Sequence, residues 1–269
     1  MEAHDDEDEF DAPWNLLDDG EPEAVLELLA ELDAAGRPHP ESAALACLAH
    51  SDMGSFDLAE RVIGPEPAAG ARGRDAWLLA RGELDLATWR VDEARSRFLA
   101  LEDSGASTVG TRLRLSLVAD LAGDADEARR WIERARELDA DAPGCSARLD
   151  DDAFDEVVAS AIAELPPEFR ARLDEVPVIV EPVPALEGGL PPVDVMPDTL
   201  GLFRGVNDLE RSFEASAEIP PAIHLYRNNL ERRAIDVDEL REEIRITLYH
   251  ELGHLLGFDE EGVESMGLG

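Results

Sequence analysis

The chain has 269 residues, 44% of them hydrophobic, so it is long enough for one large domain or for two ordinary domains with separate cores. Acidic residues outnumber basic residues by 62 to 24, and the formal net charge of -38 argues against binding to nucleic acid or to anionic membrane surfaces. The same charge would attract cationic peptides or partner proteins, or would only maintain solubility.

The N-terminus and the two cysteines predict an intracellular protein. Cys47 and Cys145 lie far apart and form no Cys-x-x-Cys pattern, so the sequence predicts neither a disulfide framework nor a thiolate zinc site. The N-terminus is acidic where a secretory signal would be basic and then apolar. No apolar run approaches the roughly 18 residues of a membrane-spanning helix. We therefore expect a soluble cytoplasmic protein.

The first part of the chain is predicted to be helical and repetitive. Residues 1–13 read as a disordered acidic lead, and residues 14–145 are rich in Ala, Leu, Glu and Arg with helical spacing. A pair ending in alanine recurs at steps of 35, 35 and 34 residues: Glu23-Ala24, Leu58-Ala59, Glu93-Ala94 and Glu127-Ala128. A turn signal precedes each pair: Gly20, Gly54, Trp89 and Gly123.

A period near 34 residues is typical of helix-turn-helix solenoids. Residues 16–142 loosely resemble tetratricopeptide repeats, in which the alanine is a close-packing position of the second helix and a glycine, here only Gly82, stands in the first. A repeat domain of this kind implies a concave surface for a peptide or a partner protein. A spacer or a non-repetitive helical bundle is the alternative.

The pattern changes after Pro143-Gly144 and a run of acids, and we place a domain boundary between residues 145 and 146. Residues 146–269 then predict a helix at 154–165 and a short helical turn through residue 173. Three strands follow at 176–183, 200–206 and 222–226, the first of them interrupted by prolines as at a sheet edge. With a final long helix that starts at the N-cap Asp236, this is an α+β arrangement with a small mixed sheet.

The final helix carries an H-E-x-x-H motif. His250 and His254 are four residues apart, so on a helix they lie on one face, about 5–6 Å apart at Cβ, and both can bind one metal ion, most naturally zinc. Glu251 would flank the metal as a general base. Apolar residues surround the motif, so we expect a buried helix whose polar residues need a partner such as zinc, ordinary hydrogen bonding being the alternative.

A catalytic zinc site uses three protein ligands and a water, and the motif supplies two ligands. The acids Asp259, Glu260 and Glu264 follow the turn at Gly257 and are all candidates for the third. His224, in the centre of the third strand, is expected to be a cross-strand surface histidine and not a ligand.

Residues 150–269 resemble the small bacterial zincin-like metallopeptidases. The resemblance rests on five segments in order: P-P-E-F-R-A-R-L at 166–173, V-P-V-I-V-E at 176–181, L-G-L-F-R-G-V at 200–206, I-H-L-Y-R at 223–227 and E-L-R-E-E-I-R-I-T-L-Y-H-E-L-G-H at 239–254. It implies a minimal zincin fold with His250 and His254 as zinc ligands, Glu251 as general base and an acid at position 260 as third ligand. Family members usually carry aspartate there, so the longer Glu260 leaves Asp259 and Glu264 open as alternatives.

The predicted function is zinc-dependent hydrolysis of peptide bonds. Glu251 would take a proton from the activated water and pass it to the leaving amine, with the substrate extended along the edge strand at 200–206. Tyr226, Arg227 and Tyr249 are candidates for stabilising the oxyanion. One alternative is an adaptor protein whose repeats bind a partner and whose zinc site is structural or inactive. The other is hydrolysis of a non-peptide substrate such as a small amide.

Overall fold

The computed structural model describes residues 3–144, 149–186, 190, 195–205 and 220–258. By Cα packing the chain divides into two units, Met1–Val118 and Ala119–Gly269. The division falls within a helix, before the boundary predicted at 145/146, and the predicted domain limits stay a prediction. Among the helices of the described residues, none is long and apolar enough to cross a membrane.

The first unit is built from helices. They are α1 (Ala3–Asp18), α2 (Pro22–Ala34), α3 (Ser42–Asp52), α4 (Phe56–Val62), α5 (Arg74–Ala87), α6 (Val91–Ser104) and the greater part of α7 (Val109–Leu121). Neighbouring helices pack on one another, most extensively α5 on α6 and α3 on α5. The first unit is therefore helical, as the sequence predicts. Its resemblance to tetratricopeptide repeats stays a prediction.

Helix α1 covers Ala3–Asp18, whereas the acidic lead at residues 1–13, predicted to be disordered, stays a prediction. The apolar residues at its C-terminal end, Trp14, Leu16 and Leu17, pack against a core that contains Val25 and Leu45. Once these residues fix the last turns, each further residue adds one backbone hydrogen bond at little nucleation cost. The packing at one end of the helix therefore outweighs the acidic composition of the other.

The turn signals at the 34-residue period all mark left-handed backbone. Gly20, Gly54 and Gly123 have φ of 73°, 67° and 77°, and Trp89 takes the equivalent position with φ 61°. Trp89 is the only non-glycine residue with positive φ in the described part of the chain. The repeated turn geometry therefore persists even where the sequence has lost its glycine, although this conformation is unfavourable for a bulky side chain.

The alanines that follow these turns are buried, with one exception. Ala59, Ala94 and Ala128 are all 0% exposed, whereas Ala24 is only half-buried and its neighbour Val25 takes the inward position. A Cβ on Gly82 would lie 2.7 Å from the Phe98 ring, so this glycine admits the aromatic side chain between α5 and α6.

The second unit combines helices with a small sheet. After α7 come α8 (Ala125–Leu138), α9 (Asp151–Glu164), α10 (Pro167–Leu173), β1 (Val178–Glu181), β2 (Gly201–Arg204), β3 (Ala222–Tyr226), α11 (Arg227–Arg233) and α12 (Val237–Leu256). The strand order is β1-β3-β2, with β1 parallel and β2 antiparallel to β3. The predicted α+β class with a small mixed sheet is confirmed, and β1 lies at an edge as its prolines indicate.

One hydrophobic core holds this unit together. The fully buried Ile223 and Leu225 of β3 belong to the same core as Phe154 of α9 and Ile244 and Leu248 of α12. Because successive side chains of a strand alternate between faces, His224 points to the opposite face of the sheet. Its Nδ1 lies 2.7 Å from Glu181 Oε2 on β1, which agrees with the cross-strand position expected for this histidine.

Candidate metal centre

Both ends of helix α12 are fixed by residues that the sequence identifies. Asp236 accepts a hydrogen bond from the Glu239 backbone N–H at 2.9 Å, and the Glu239 carboxylate accepts one at 2.6 Å from the N–H of Ile235, the residue before the N-cap. At the other end Gly257 has φ 93°, and the Phe258 N–H bonds back to the Gly253 carbonyl. The predicted helix start at Asp236 and stop at Gly257 are confirmed.

The two histidines of α12 converge. The Nε2 atoms of His250 and His254 lie 3.0 Å apart, and the ring centroids are 4.7 Å apart at an interplanar angle of 78°. Both residues are half-buried. Their ring nitrogens therefore meet at one point beside the helix, as the i, i+4 spacing predicts.

The C-terminal turn of α12 also orients one of these rings. His254 Nδ1 lies 3.1 Å from the Phe258 carbonyl oxygen and can donate to it, which places the lone pair of the ring on Nε2. Histidines that bind metals usually donate their second ring N–H to such an acceptor. The left-handed Gly257 makes this contact possible because it turns Phe258 back over the last helical turn.

The two histidine nitrogens have a spacing compatible with zinc. Two nitrogens bound to one tetrahedral zinc at about 2.0–2.1 Å lie roughly 3.3–3.4 Å apart, so a small rotation of the rings would open the observed spacing to that value. Within the described ranges, no group of three or more His, Cys, Asp or Glu side chains could hold a metal. The predicted third ligand Glu260 and its alternatives Asp259 and Glu264 lie outside the described residues.

Glu251 is held by the edge strand. Its side chain is 7% exposed, and Oε2 accepts a hydrogen bond of 2.6 Å from the backbone N–H of Phe203 on β2. The backbone N–H of Tyr226 on β3 donates to the Leu200 carbonyl, so alternation in the antiparallel ladder directs the Phe203 N–H away from β3. Glu251 thus lies against the outer edge of β2, and a charged acceptor makes this a strong bond.

A glycine allows this contact. A Cβ on Gly201 would lie 2.4 Å from Thr247 Cγ2 and 3.4 Å from Glu251 Cγ, so the strand reaches α12 only because this position has no side chain. Glycine inside a strand often marks such a close approach. Gly201 in the L-G-L segment therefore indicated a close approach, but the sequence alone did not identify Thr247 and Glu251 as the neighbouring residues.

The candidates for oxyanion stabilisation are engaged elsewhere. Arg227 binds Asp151 at 2.6 Å and Glu231 at 3.1 Å, and its guanidinium lies 4.9 Å from the centroid of the Phe154 ring. Tyr249 packs on Phe169 with ring centroids 4.4 Å apart. Tyr226 is buried. The sequence could not show that these three residues have other partners, because their positions depend on how the elements pack.

Comparison with known proteins supports the sequence resemblance. A search among curated proteins gives no significant match. The family described as zincin-like metallopeptidase matches residues 173–268, which include β1 to β3, α11 and the H-E-x-x-H helix. Residues 173–268 are therefore similar to zincin-like metallopeptidases, in agreement with the resemblance that the sequence predicts.

Proposed function

We propose that the protein is a zinc-dependent peptidase in which His250 and His254 bind the metal and Glu251 is the general base. The observation that carries the proposal is the meeting of the two Nε2 atoms 3.0 Å apart, with the buried Glu251 between them in sequence and fixed by β2. Glu260, or one of the alternative acids Asp259 and Glu264, completes the ligand set in this proposal.

Zinc bound there would supply a Lewis acid that polarises the scissile carbonyl and makes a water acidic near neutral pH. The chain's own residues have defined tasks. The Phe203 N–H holds one carboxylate oxygen of Glu251, and the other oxygen would take a proton from water and return it to the leaving amine. The Phe258 carbonyl keeps His254 in the tautomer that presents Nε2.

The outer edge of β2 favours a peptide as the substrate. In the described sheet, β2 lies at the edge next to Glu251, which already uses the Phe203 N–H. An extended peptide would pair with the other outward backbone groups of this edge, and a peptide bond would then lie close to the carboxylate. The net charge of -38 favours substrates that carry lysine or arginine. The helices of the first unit would bind a partner or the substrate protein.

The test is Glu251→Gln measured beside Glu242→Gln. Glu242 is on the same helix but exposed and paired with Arg245, so it controls for the loss of one negative charge. We expect the first variant to retain zinc and to lose peptidase turnover by about 10²–10⁴-fold, and the second to behave as wild type. A library of basic and neutral peptides, together with small amides, serves as the substrate panel.

The second candidate is an adaptor whose zincin-like domain is inactive. It is favoured by the same hydrogen bond, because a buried carboxylate that bonds a backbone N–H at 2.6 Å also stabilises the fold without any chemistry. Zinc-loaded protein that cleaves no peptide or amide, and whose thermal stability falls in Glu251→Gln, would support the adaptor and contradict the peptidase. Cleavage of small amides alone would identify the non-peptide hydrolase.

A further inference from the structure

Asn229 ties the segment that precedes β2 to helix α11. The side chain is 3% exposed, and its Nδ2 donates to two backbone carbonyls, Pro197 O at 2.9 Å and Thr199 O at 2.7 Å. Both amide hydrogens are therefore used on a turn that the Thr199 hydroxyl closes by accepting from the Met196 N–H at 3.0 Å. The amide fixes where this turn ends and where the strand begins.

The oxygen of the same amide is also hydrogen-bonded. Asn229 Oδ1 accepts from Arg232 Nη1 at 2.8 Å, and the Arg232 guanidinium pairs with the carboxylate of Asp120, in the last turn of α7 and within the second unit. All three side chains are buried. A buried network of this kind is costly to disturb, so the position of Asn229 is well defined.

The distance along the chain from this anchor to Glu251 is short. Thr199 precedes Gly201 by two residues and Phe203 by four, and the intervening Leu200 carbonyl accepts from the Tyr226 N–H at 2.8 Å. The segment is extended and paired with β3, so it transmits a shift at Thr199 along its length. Phe203 then donates the hydrogen bond that fixes the carboxylate of Glu251.

We infer that Asn229 is a positioning residue that sets the geometry of the general base through strand β2. The inference rests on the proposed function for its effect on turnover, but the contact it predicts is structural and can be measured without a substrate. No motif in the sequence singles out Asn229, because its partners lie 30 and 32 residues away and are backbone carbonyls.

The test is Asn229→Asp in the full-length protein with ¹⁵N-labelled phenylalanine. Aspartate is nearly isosteric and keeps an acceptor for Arg232, but it loses both donors and turns an oxygen towards two carbonyl oxygens. Asn228→Asp is the matched control, since it makes the same change one residue earlier, at a half-buried position of the same helix. If Asn229→Asp does not fold, Asn229→Ser removes the amide without adding charge.

We expect the Phe203 amide resonance to move in Asn229→Asp in the direction it takes in Glu251→Gln, and to stay in place in Asn228→Asp. Zinc content should be unchanged in the zinc-loaded protein, and kcat should fall about 10–100-fold while KM stays within about twofold. A folded Asn229 variant with an unmoved Phe203 amide and wild-type kcat would overturn the inference. A moved amide in a protein that, as wild type, cleaves nothing would support the positioning contact and contradict the peptidase.

Discussion

The two units of the chain satisfy their buried polar groups over very different sequence distances. In the first unit Asp85, 0% exposed, pairs with Arg81 one helical turn away at 3.0 Å and with Arg90 five residues on at 2.8 Å. In the second unit the Phe203–Glu251 bond spans 48 residues and the Arg232–Asp120 pair 112. The buried Asp85 is therefore neutralised by residues close to it in sequence, although the exposed Glu60 reaches the same arginines over 21 and 30 residues. The candidate site of the second unit depends on contacts between distant segments.

The same difference separates two glycines. Gly54, at a repeat turn, has φ 67°, and no atom lies within 4 Å of the position that a Cβ would take, so its role is conformational and local. Gly201 has no unusual φ, but a Cβ there would collide with Thr247 on another element. One glycine is required by its own backbone and the other by a neighbour that only the folded chain brings close.

The largest expected effect concerns the metal. We expect His254→Ala to abolish stoichiometric zinc binding and turnover, because the variant removes one of the two converging Nε2 atoms. His224→Ala is the control, since this histidine points to the other face of the sheet and binds Glu181. Metal analysis of both purified proteins is the measurement. Equal zinc content in His254→Ala and wild type would contradict the proposed zinc site.

The next effect tests the close approach of β2 to α12. Gly201→Ala should lower kcat about 10–100-fold with zinc retained, because the new methyl group pushes the strand and the Phe203 N–H away from Glu251. Thr247→Ser in the same chain removes the Cγ2 that the methyl would meet, and it should restore much of the activity. Steady-state kinetics of the single and double variants decide this; a double variant as slow as Gly201→Ala would contradict the steric explanation.

A smaller effect is expected in the first unit. Asp85→Ala should lower the free energy of unfolding by about 1.5–3 kcal/mol, because Arg81 and Arg90 lose a buried charged acceptor. Glu60→Ala removes an exposed acid from the same two arginines and should cost at most about 1 kcal/mol. Denaturant unfolding measures both. Similar losses for the two variants would show that burial of Asp85 does not matter.

The smallest effect isolates backbone conformation. Gly54→Ala should cost about 1 kcal/mol of unfolding free energy, because alanine disfavours the left-handed region and no packing compensates. In contrast to Gly201→Ala, no neighbouring substitution should rescue it, and zinc binding should be unaffected. A thermal melt together with zinc analysis checks both points. A Gly54→Ala protein as stable as wild type would contradict the conformational role.

Much of the local structure was predictable from the sequence. The N-cap at Asp236, the stop at Gly257, the three strands and the edge position of β1 follow from residue types a few positions apart. Helix α1 was not predicted, because its formation depends on the packing of Trp14 and its neighbours against other helices. Asn229 and the Phe203 N–H escaped prediction because a backbone partner leaves no mark on the sequence.

The sequence by itself determined the helix that presents two histidines one turn apart, the mixed α+β organisation and the similarity of residues 173–268 to zincin-like metallopeptidases. Only the tertiary structure decided what Glu251 touches, which glycine must stay small and which asparagine fixes the edge strand. The physical reason is the sequence distance over which the interactions act. Helix faces and caps are set by hydrogen bonds within about four residues, whereas the placement of a carboxylate against a strand is set by how separate elements pack.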